Sequence, residues 1–270
     1  MRTGFTGQLL NYLRFRVNCK RRGGYGIHSP YVYSLYTETL NADFKNNQVF
    51  EKIEQYRKDL RRCGLSIVRQ RLGDNPENGF PGDKVKLARI ARNVSVPPHL
   101  GRLLFRLCSR FSPETIVELG TSVGISTMYM AAANPNSKVY TIEGEESILG
   151  IARNRFRQMG FTNIEPIAGN FDVQLPELTK RISTIDFAFI DGDHNGRALL
   201  QNFNRMLPRV ADTSVLVIDD IRWSPGMEAA WKQICSNPKV TISIDLFRCG
   251  ILFFRTGIAK QHFLLRFGPY

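Results

Sequence analysis

The sequence predicts an α/β fold: a Rossmann-like, doubly wound sheet of seven strands, mostly parallel, with a C-terminal antiparallel hairpin strand and a helical N-terminal extension. Three observations predict it. Short apolar segments alternate with amphipathic ones beyond residue 98, a glycine-rich turn follows the first of them, and two later ones run directly into acidic residues. Strands that alternate with helices form parallel sheets covered on both faces.

The predicted core of this fold is a domain over residues 98–256. The pair Pro97–Pro98 marks its beginning, and an apolar helix follows near residues 99–110. Further helices are predicted from the spacing of apolar residues at 126–133, 146–159, 199–207 and 227–235. Strands are predicted at 116–119, 138–143, 163–168, 185–190, 214–218, 240–246 and 251–255. The last two strands flank a short Phe-Arg-Cys-Gly segment, which predicts a hairpin turn at Gly250.

The remaining segments are a helical, basic extension or cap over residues 1–97 and a tail over 257–270. In the extension, Val49, Ile53, Tyr56 and Leu60 share one face of a helix because they are spaced by four, three and four residues. Residues 73–83 are dense in Gly, Pro, Asn and Asp, which predicts a loop.

The charge is strongly basic and unevenly distributed. The net charge is +13, of which +10 falls in residues 1–100. Such a surface attracts anions, including nucleic acid or an anionic substrate, although an ordinary solvated face explains it equally well. The five scattered cysteines form no C-x-x-C pair, and the composition of residues 1–16 and the lack of a long apolar run lead us to expect neither a secretion signal nor a transmembrane helix. We therefore expect a reducing, cytoplasmic setting.

Two motifs point to a nucleotide-like ligand. A G-x-x-x-G turn, Gly120 to Gly124, follows the first strand of the predicted domain, where glycines let the backbone approach a ligand closely. Glu143 ends the next strand, and an acid there can accept hydrogen bonds from both ribose hydroxyls. A tight βα turn and a helix-capping acid are the alternatives.

Acidic residues also follow two later strands. Asp191 directly follows the segment Ile-Asp-Phe-Ala-Phe-Ile, and Asp219 and Asp220 directly follow Ser-Val-Leu-Val-Ile. Crowded carboxylates repel one another, and a divalent cation such as Mg²⁺ removes that penalty. The alternative is that Asp191 contacts the ammonium of a cofactor while the Asp pair caps a helix.

The stretch Ile-Val-Glu-Leu-Gly-Thr-Ser-Val-Gly-Ile-Ser resembles the first motif of class I S-adenosylmethionine-dependent methyltransferases, particularly the catechol and caffeoyl-CoA O-methyltransferase group. The resemblance covers about residues 98–256. It implies that the bend from Glu118 to Ser126 receives S-adenosylmethionine, with Ser126 at its carboxylate and Glu143 at its ribose. The residues implied to line the methionine part are Gly120, Thr121, Ser122 and Gly124.

The same resemblance implies further roles. Asn170 and Phe171 would flank the adenine, although an Asx turn at Asn170 is an equally good interpretation. Asp191, Asp219 and Asp220 match the family's metal-binding acids, and Trp223 follows three residues after Asp220, as in the family. Here Asp220 replaces an asparagine that many members carry, which leaves the identity of the metal open.

His194 stands where the family commonly has a lysine that takes the proton from the substrate hydroxyl. A histidine can serve as a base near neutral pH, so the resemblance implies a catalytic role for His194 together with Asp191. A hydrogen-bonded loop histidine is the alternative.

These features predict transfer of a methyl group from S-adenosylmethionine to the oxygen of a small hydroxylated acceptor, with help from Mg²⁺ or another divalent cation. The basic surface would suit an anionic acceptor. Two alternatives stay open: an RNA methyltransferase that uses the basic N-terminal region, and a non-catalytic protein that binds the cofactor. The chain also resembles an uncharacterised group of bacterial methyltransferases, and related O-methyltransferases are often homodimers.

Overall fold

The computed structural model describes residues 5–19, 26–42, 48–68, 82–93 and 95–268. The chain forms two compact units, one made of Met1–Ala42 with Arg181–Tyr270 and the other of Asp43–Lys180. The predicted loop over 73–83 lies outside the described residues except for Gly82 and Asp83.

The secondary structure alternates helices and strands from α5 onward. The helices are α1 (Phe5–Asn18), α2 (Pro30–Leu35), α3 (Gln48–Arg62), α4 (Leu87–Asn93), α5 (Pro98–Phe111), α6 (Ile125–Ala133), α7 (Glu146–Gln158), α8 (Phe171–Arg181), α9 (Gly196–Met206) and α10 (Pro225–Ser236). The strands are β1 (Ser66–Val68), β2 (Lys84–Lys86), β3 (Thr115–Leu119), β4 (Lys138–Glu143), β5 (Ile164–Ala168), β6 (Ile185–Ile190), β7 (Val210–Ile218), β8 (Ile242–Asp245), β9 (Gly250–Phe253) and β10 (Gln261–Leu264). A π-helix over Tyr36–Leu40 extends α2, and a 3₁₀ turn over Leu207–Arg209 follows α9.

In the unit Asp43–Lys180, three parallel strands lie in the order β3-β4-β5. Residues of β3 such as Ile116, Val117 and Leu119 are fully buried, which is expected for parallel strands covered on both faces. The amphipathic helix predicted around Ile53 is α3, and it buries Ile53, Tyr56 and Leu60 as predicted. A short antiparallel pair, β1 with β2, is also present.

In the unit formed by Met1–Ala42 and Arg181–Tyr270, five strands lie in the order β10-β8-β9-β7-β6. Strand β6 is parallel to β7, and β10 is parallel to β8. Strand β9 is antiparallel to both of its neighbours, β7 and β8. Because β7 and β8 therefore run in the same direction, the turn after β8 lies at the same edge as the ends of β6 and β7.

The predicted strand count requires a correction. Besides the short pair β1 and β2, the described residues form eight strands of this α/β fold, not seven, because the predicted tail over 257–270 forms β10 beside β8. The hairpin strand β9 is antiparallel, as predicted, and it lies between β7 and β8. Strand β10 was not predicted because its formation depends on pairing with β8 in the folded protein, and no local sequence pattern indicates that pairing.

Gly250 is also placed differently from the prediction. It lies in β9, and the turn residue with a left-handed backbone is Phe247, at φ 74°. A Cβ atom on Gly250 would overlap the indole ring of Trp231. The glycine is therefore needed for close packing rather than for the turn.

The compact units divide the chain differently from the predicted domains at 1–97, 98–256 and 257–270. The sequence boundaries followed changes in composition, whereas the units follow contacts in space. In the unit with both chain ends, the Tyr36 hydroxyl donates a hydrogen bond to the Arg266 carbonyl at 3.0 Å. Within the described ranges, no helix combines the length and the apolar character that crossing a bilayer requires.

Candidate active site

The turn between β3 and α6 has an unusual backbone. Gly120, Ser122 and Gly124 all have positive φ angles, of 100°, 47° and 83°. Only glycine adopts this region freely, and serine does so at a cost. The Gly124 amide donates to the Thr121 carbonyl at 2.8 Å, which closes the turn. The glycine spacing therefore corresponds to a tight βα turn, and binding of a ligand at this turn stays a prediction.

Glu143 is tied to this turn by its side chain. Its Oε2 atom accepts a hydrogen bond from the Ser122 amide at 2.8 Å, and its Oε1 atom accepts one from the Glu145 amide at 3.0 Å. Burial raises the pKa of Glu143, while these N–H donors lower it. The acid thus lies beside the glycine turn, as ribose binding would require. Glu145 is instead the N-cap residue of α7, and Glu146 lies in the first turn, where an acid complements the helix dipole.

Glu118 is the most deeply buried acid of the turn. It is fully buried at 0% exposure, and Thr127 and Thr141 donate hydroxyl hydrogen bonds to its Oε2 atom. Burial raises its pKa to about 7, against the lowering effect of hydrogen bonds from Ser126, Thr127 and Thr141. This burial places Glu118 beneath the turn as a support, while its predicted contact with the cofactor stays a prediction.

Asn170 and Phe171 follow β5. The Asn170 side chain accepts a hydrogen bond from the Asp172 amide at 3.1 Å, so the Asx turn that competed with the adenine prediction is present. Phe171 is buried at 8% exposure. The Asx turn uses the side-chain oxygen of Asn170 as its acceptor. The adenine contact stays a prediction for both residues.

The turn passes one test of fit for a polar cofactor. The Ser122 Oγ atom is buried and has no hydrogen-bond partner among the described residues. A buried hydroxyl without a partner carries a desolvation penalty, which a polar ligand atom at this point would remove. Thr121 and Ser126 are also buried, at 1% and 5% exposure, and the Thr121 hydroxyl shares a hydrogen bond with Thr141.

The second group of predicted residues lies in the other compact unit. Strands β6 and β7 are parallel with Ile190 opposite Ile218, so Asp191 and Asp219 emerge side by side. The Asp219 amide donates to the Ile190 carbonyl at 2.9 Å, which continues the pairing beyond the strands. Asp220 has a positive φ of 50°, and its carbonyl accepts from the Trp223 amide at 2.9 Å.

The side chain that lies close to both Asp191 and Asp220 is His194. One potential ligand atom from each of the three side chains lies within 4.8 Å of the others. The Nδ1 atom of His194 is 3.7 Å from Asp220 Oδ2, and its ring stacks on Trp223 with centroids 4.8 Å apart. The predicted base and two of the predicted acids are therefore neighbours.

Asp219, the third predicted metal ligand, is engaged by an arginine. The Nε atom of Arg248 donates to Asp219 Oδ1 at 3.0 Å, and its Nη2 atom donates to Oδ2 at 2.7 Å. The Asp219 side chain is 0% exposed. In this arrangement both carboxylate oxygens carry hydrogen bonds from one guanidinium, so the three predicted acids do not present a shared set of open oxygens. The metal prediction did not include this guanidinium, and the role of Asp219 as a metal ligand stays a prediction.

The sequence analysis missed Arg248 because it considered only the residues that follow the first five strands of the predicted domain, which are β3 to β7. A signal was available. Arg248 follows β8, which runs parallel to β7, and residues just after such strands lie at the ligand-binding edge of the sheet. Tyr56 of α3 was predicted to lie on the apolar face of a helix, but its hydrogen bond to the Val123 carbonyl of the glycine turn was not foreseen.

Comparison with known proteins gives a consistent assignment. A family model described as a methyltransferase domain matches residues 117–221. The catechol O-methyltransferase of Mycobacterium tuberculosis is 30% identical over 164 residues, which are 58% of this chain and 70% of that protein. The catechol O-methyltransferase of Niastella koreensis is 29% identical over 151 residues, or 55% of this chain. The chain spans 63% of the length of that relative, and 52% and 58% of two other O-methyltransferases.

Solved structures show the same fold. An O-methyltransferase of tomaymycin synthesis from Streptomyces achromogenes, in complex with SAM, matches with a TM-score of 0.56 and 19% identity, over 83% of this chain and 96% of that one. An O-methyltransferase from Bacillus cereus, in complex with SAH, matches with a TM-score of 0.56 and 17% identity, over 83% and 97% of the two chains.

Proposed function

The chain belongs to the family of class I S-adenosylmethionine-dependent O-methyltransferases, and from that premise we propose that it methylates a hydroxyl group of a small acceptor. The observation that carries this proposal is the grouping of Asp191, His194 and Asp220 within 4.8 Å at the ends of β6 and β7. In the proposed reaction the bond between sulfur and the methyl carbon breaks, the bond between oxygen and that carbon forms, and the hydroxyl proton moves to His194.

His194 is suited to accept that proton. Its Nδ1 atom faces the carboxylate of Asp220 at 3.7 Å, which favours a positive charge on the ring after proton transfer. Stacking on Trp223 restricts the orientation of the ring. We assign the proton transfer to Nε2, since Nδ1 faces Asp220. Positioned proton acceptors of this kind contribute about 10²- to 10⁴-fold to a rate.

The cofactor is proposed to bind at the glycine turn. Glu143 would hold the ribose, Ser122 and its neighbours Gly120, Thr121 and Gly124 would line the methionine part, and Ser126 would hold the carboxylate. The support is the strained turn, the position of Glu143 beside it and the buried Ser122 hydroxyl. Asn170 and Phe171 are proposed for the adenine side.

A divalent cation is proposed only with a changed set of ligands. Asp191, His194 and Asp220 would hold it, and it would lower the pKa of the acceptor hydroxyl. Mg²⁺ prefers oxygen ligands, whereas imidazole suits transition metals, so this set fits Mn²⁺ or Zn²⁺ better than Mg²⁺. A bound cation and the proton would compete for His194, so the histidine serves one role or the other.

We propose a reducing, cytoplasmic setting for this activity, supported by the five free cysteines. The RNA alternative rests only on the basic charge of the N-terminal region. A bacterial origin and a homodimer also stay predictions.

The test is methyl transfer by the purified protein. Formation of S-adenosylhomocysteine is followed with catechols and hydroxylated aromatic acids as acceptors, with EDTA and with added Mg²⁺ or Mn²⁺. We expect turnover with at least one acceptor, and a fall in kcat of about 100-fold in His194→Gln, because the proton acceptor is lost. His28→Gln, which changes an exposed histidine, is the matched control. Absence of both turnover and cofactor binding would contradict the proposal.

A further inference from the structure

Asp191, Asp219 and Asp220 form an acid cluster after β6 and β7, and the guanidinium of Arg248 lies within it. Arg248 forms a forked pair with Asp219, with donor–acceptor distances of 3.0 Å and 2.7 Å, and its Nη2 atom lies 3.6 Å from Asp220 Oδ1. Forked arginine–carboxylate pairs are among the strongest hydrogen-bonded ion pairs in proteins. Because the Asp219 side chain is 0% exposed, the guanidinium offsets the cost of burying its negative charge.

The turn that carries Arg248 is fixed by a second forked pair. Arg222 donates to both carboxylate oxygens of Asp245, at 2.7 Å and 2.6 Å, and also to the Phe247 carbonyl at 3.0 Å. The Phe247 amide donates to Asp245 Oδ1 at 2.8 Å. The Arg248 carbonyl accepts a hydrogen bond from the Ile221 amide at 3.0 Å. These hydrogen bonds fix the backbone of the turn after β8, and that turn positions the Arg248 guanidinium at the acid cluster.

We infer that Arg248 is the built-in counter-ion of this cluster and that it keeps Asp219 out of the ligand set of any divalent cation. It satisfies both oxygens of Asp219 and offsets one of the negative charges that would attract a dication. A divalent cation that reaches Asp191, His194 and Asp220 also meets the repulsion of the guanidinium near Asp220. The wild-type protein therefore binds divalent cations weakly, and Arg248 sets that affinity.

This inference deepens the proposed function because it concerns the acceptor side of the same site. It does not need turnover for its test, since cation binding is measured on the protein alone. If methyl transfer fails while the binding results hold, only the proposed function is lost. If turnover is observed while the binding results fail, only the role of Arg248 is lost.

The experiment measures Mn²⁺ binding from the electron paramagnetic resonance signal of the free ion. The variants are Arg248→Gln, Asp219→Asn and the double variant, with Arg255→Gln as a matched control that removes an exposed arginine elsewhere. We expect Arg248→Gln to bind Mn²⁺ at least 10-fold more tightly than wild type, because Asp219 is released. Arg255→Gln should match wild type.

The double-mutant cycle tests whether Asp219 is the group released. Asp219→Asn should weaken Mn²⁺ binding at least 10-fold in the Arg248→Gln background but less than threefold in the wild-type background. Equal losses in both backgrounds would show that Asp219 is already a ligand and would overturn the inference. So would unchanged or weaker Mn²⁺ binding in folded Arg248→Gln.

Loss of the guanidinium could unfold the protein, so Arg248→Lys is included. Lysine keeps the charge but cannot reproduce the fork, and it should give a Mn²⁺ affinity between those of wild type and Arg248→Gln. Circular dichroism establishes that each variant is folded before binding is measured. A wild-type affinity in both folded Arg248→Lys and folded Arg248→Gln would contradict the inference.

Discussion

The hydroxyl of Tyr56 donates a hydrogen bond to the backbone carbonyl of Val123 at 3.2 Å, in a fully buried contact. This bond joins helix α3 of the N-terminal region to the glycine turn of the proposed cofactor site. The guanidinium of Arg155 lies over the Tyr56 ring at 4.1 Å from its centroid. Burial raises the pKa of Tyr56 to about 12, so the hydroxyl keeps its proton and acts as a donor at neutral pH.

The first prediction concerns this bond. Tyr56→Phe should weaken binding of S-adenosylhomocysteine about three- to tenfold, because a buried hydrogen bond that restrains the turn contributes about 1 kcal/mol. Isothermal titration calorimetry measures the affinity. Tyr33→Phe, which changes a tyrosine that is 46% exposed, should leave it unchanged. Equal affinities in wild type and Tyr56→Phe would show that α3 does not control the turn.

The second prediction concerns Glu143. Glu143→Gln should weaken S-adenosylhomocysteine about tenfold or more, because hydrogen bonds to a charged acceptor are worth about 1.5–3 kcal/mol. The amide keeps only one acceptor for the amides of Ser122 and Glu145 and for the proposed ribose contact. Glu146→Gln is the control, since Glu146 pairs with Arg153 on the surface of α7. A similar loss in both variants would point to a general charge effect instead.

The third prediction compares two glycines. Gly124→Ala should lower the free energy of unfolding by about 2 kcal/mol or more, because the residue has φ of 83° and its Cβ would overlap the Phe156 ring. Gly150→Ala lies inside α7 with open space around the Cβ, and it should raise the free energy of unfolding by about 0.5–1 kcal/mol. Urea denaturation measures both values. The prediction fails if the two substitutions have effects of the same sign.

The fourth prediction concerns the pH dependence of stability. The pKa of Glu118 is raised from 4.5 to about 7 in the folded protein, so the folded state holds a proton that the unfolded state releases between these values. The stability that this group contributes is fully present below pH 4.5 and declines as the pH rises towards 7. The decline amounts to about 3 kcal/mol at 1.36 kcal/mol per pKa unit.

Glu118→Gln removes this titration while its carbonyl can still accept hydrogen bonds from Thr127 and Thr141. The difference in free energy of unfolding between variant and wild type should therefore grow in favour of the variant from pH 5 to pH 7.5. Urea denaturation at several pH values measures that difference. A difference that does not change with pH would show that Glu118 is ionised across this range in the folded state.

The parts of the fold that the sequence predicted correctly are those with a strong local pattern. Strand β6 is a run of apolar residues followed by an acid, and both of its bounds, 185 and 190, agree with the prediction. Helix α3 follows from the spacing of Ile53, Tyr56 and Leu60. The glycine turn was recognised because its spacing is distinctive.

The parts that were missed depend on tertiary pairing. Strand β10 forms only because β8 offers a free parallel edge, which no local pattern around His262 reveals. The pairing of Asp219 with Arg248 joins residues 29 positions apart, so no local pattern predicts the pair, although the position of Arg248 just after β8 was a signal for its place at this edge. The same limit applies to the contact between Tyr56 and Val123, which are 67 positions apart.

The hydrogen bond from Tyr36 to Arg266 spans 230 residues of sequence. During synthesis on the ribosome, the first helices therefore emerge long before their partner in β10 and its flanking residues exists. The continuous segment Asp43–Lys180 has all of its own parts much earlier and can fold while translation proceeds. Such late closure between distant parts of a chain slows folding. Completion of the unit that contains Asp191, His194 and Arg248 should accordingly follow the folding of the segment Asp43–Lys180.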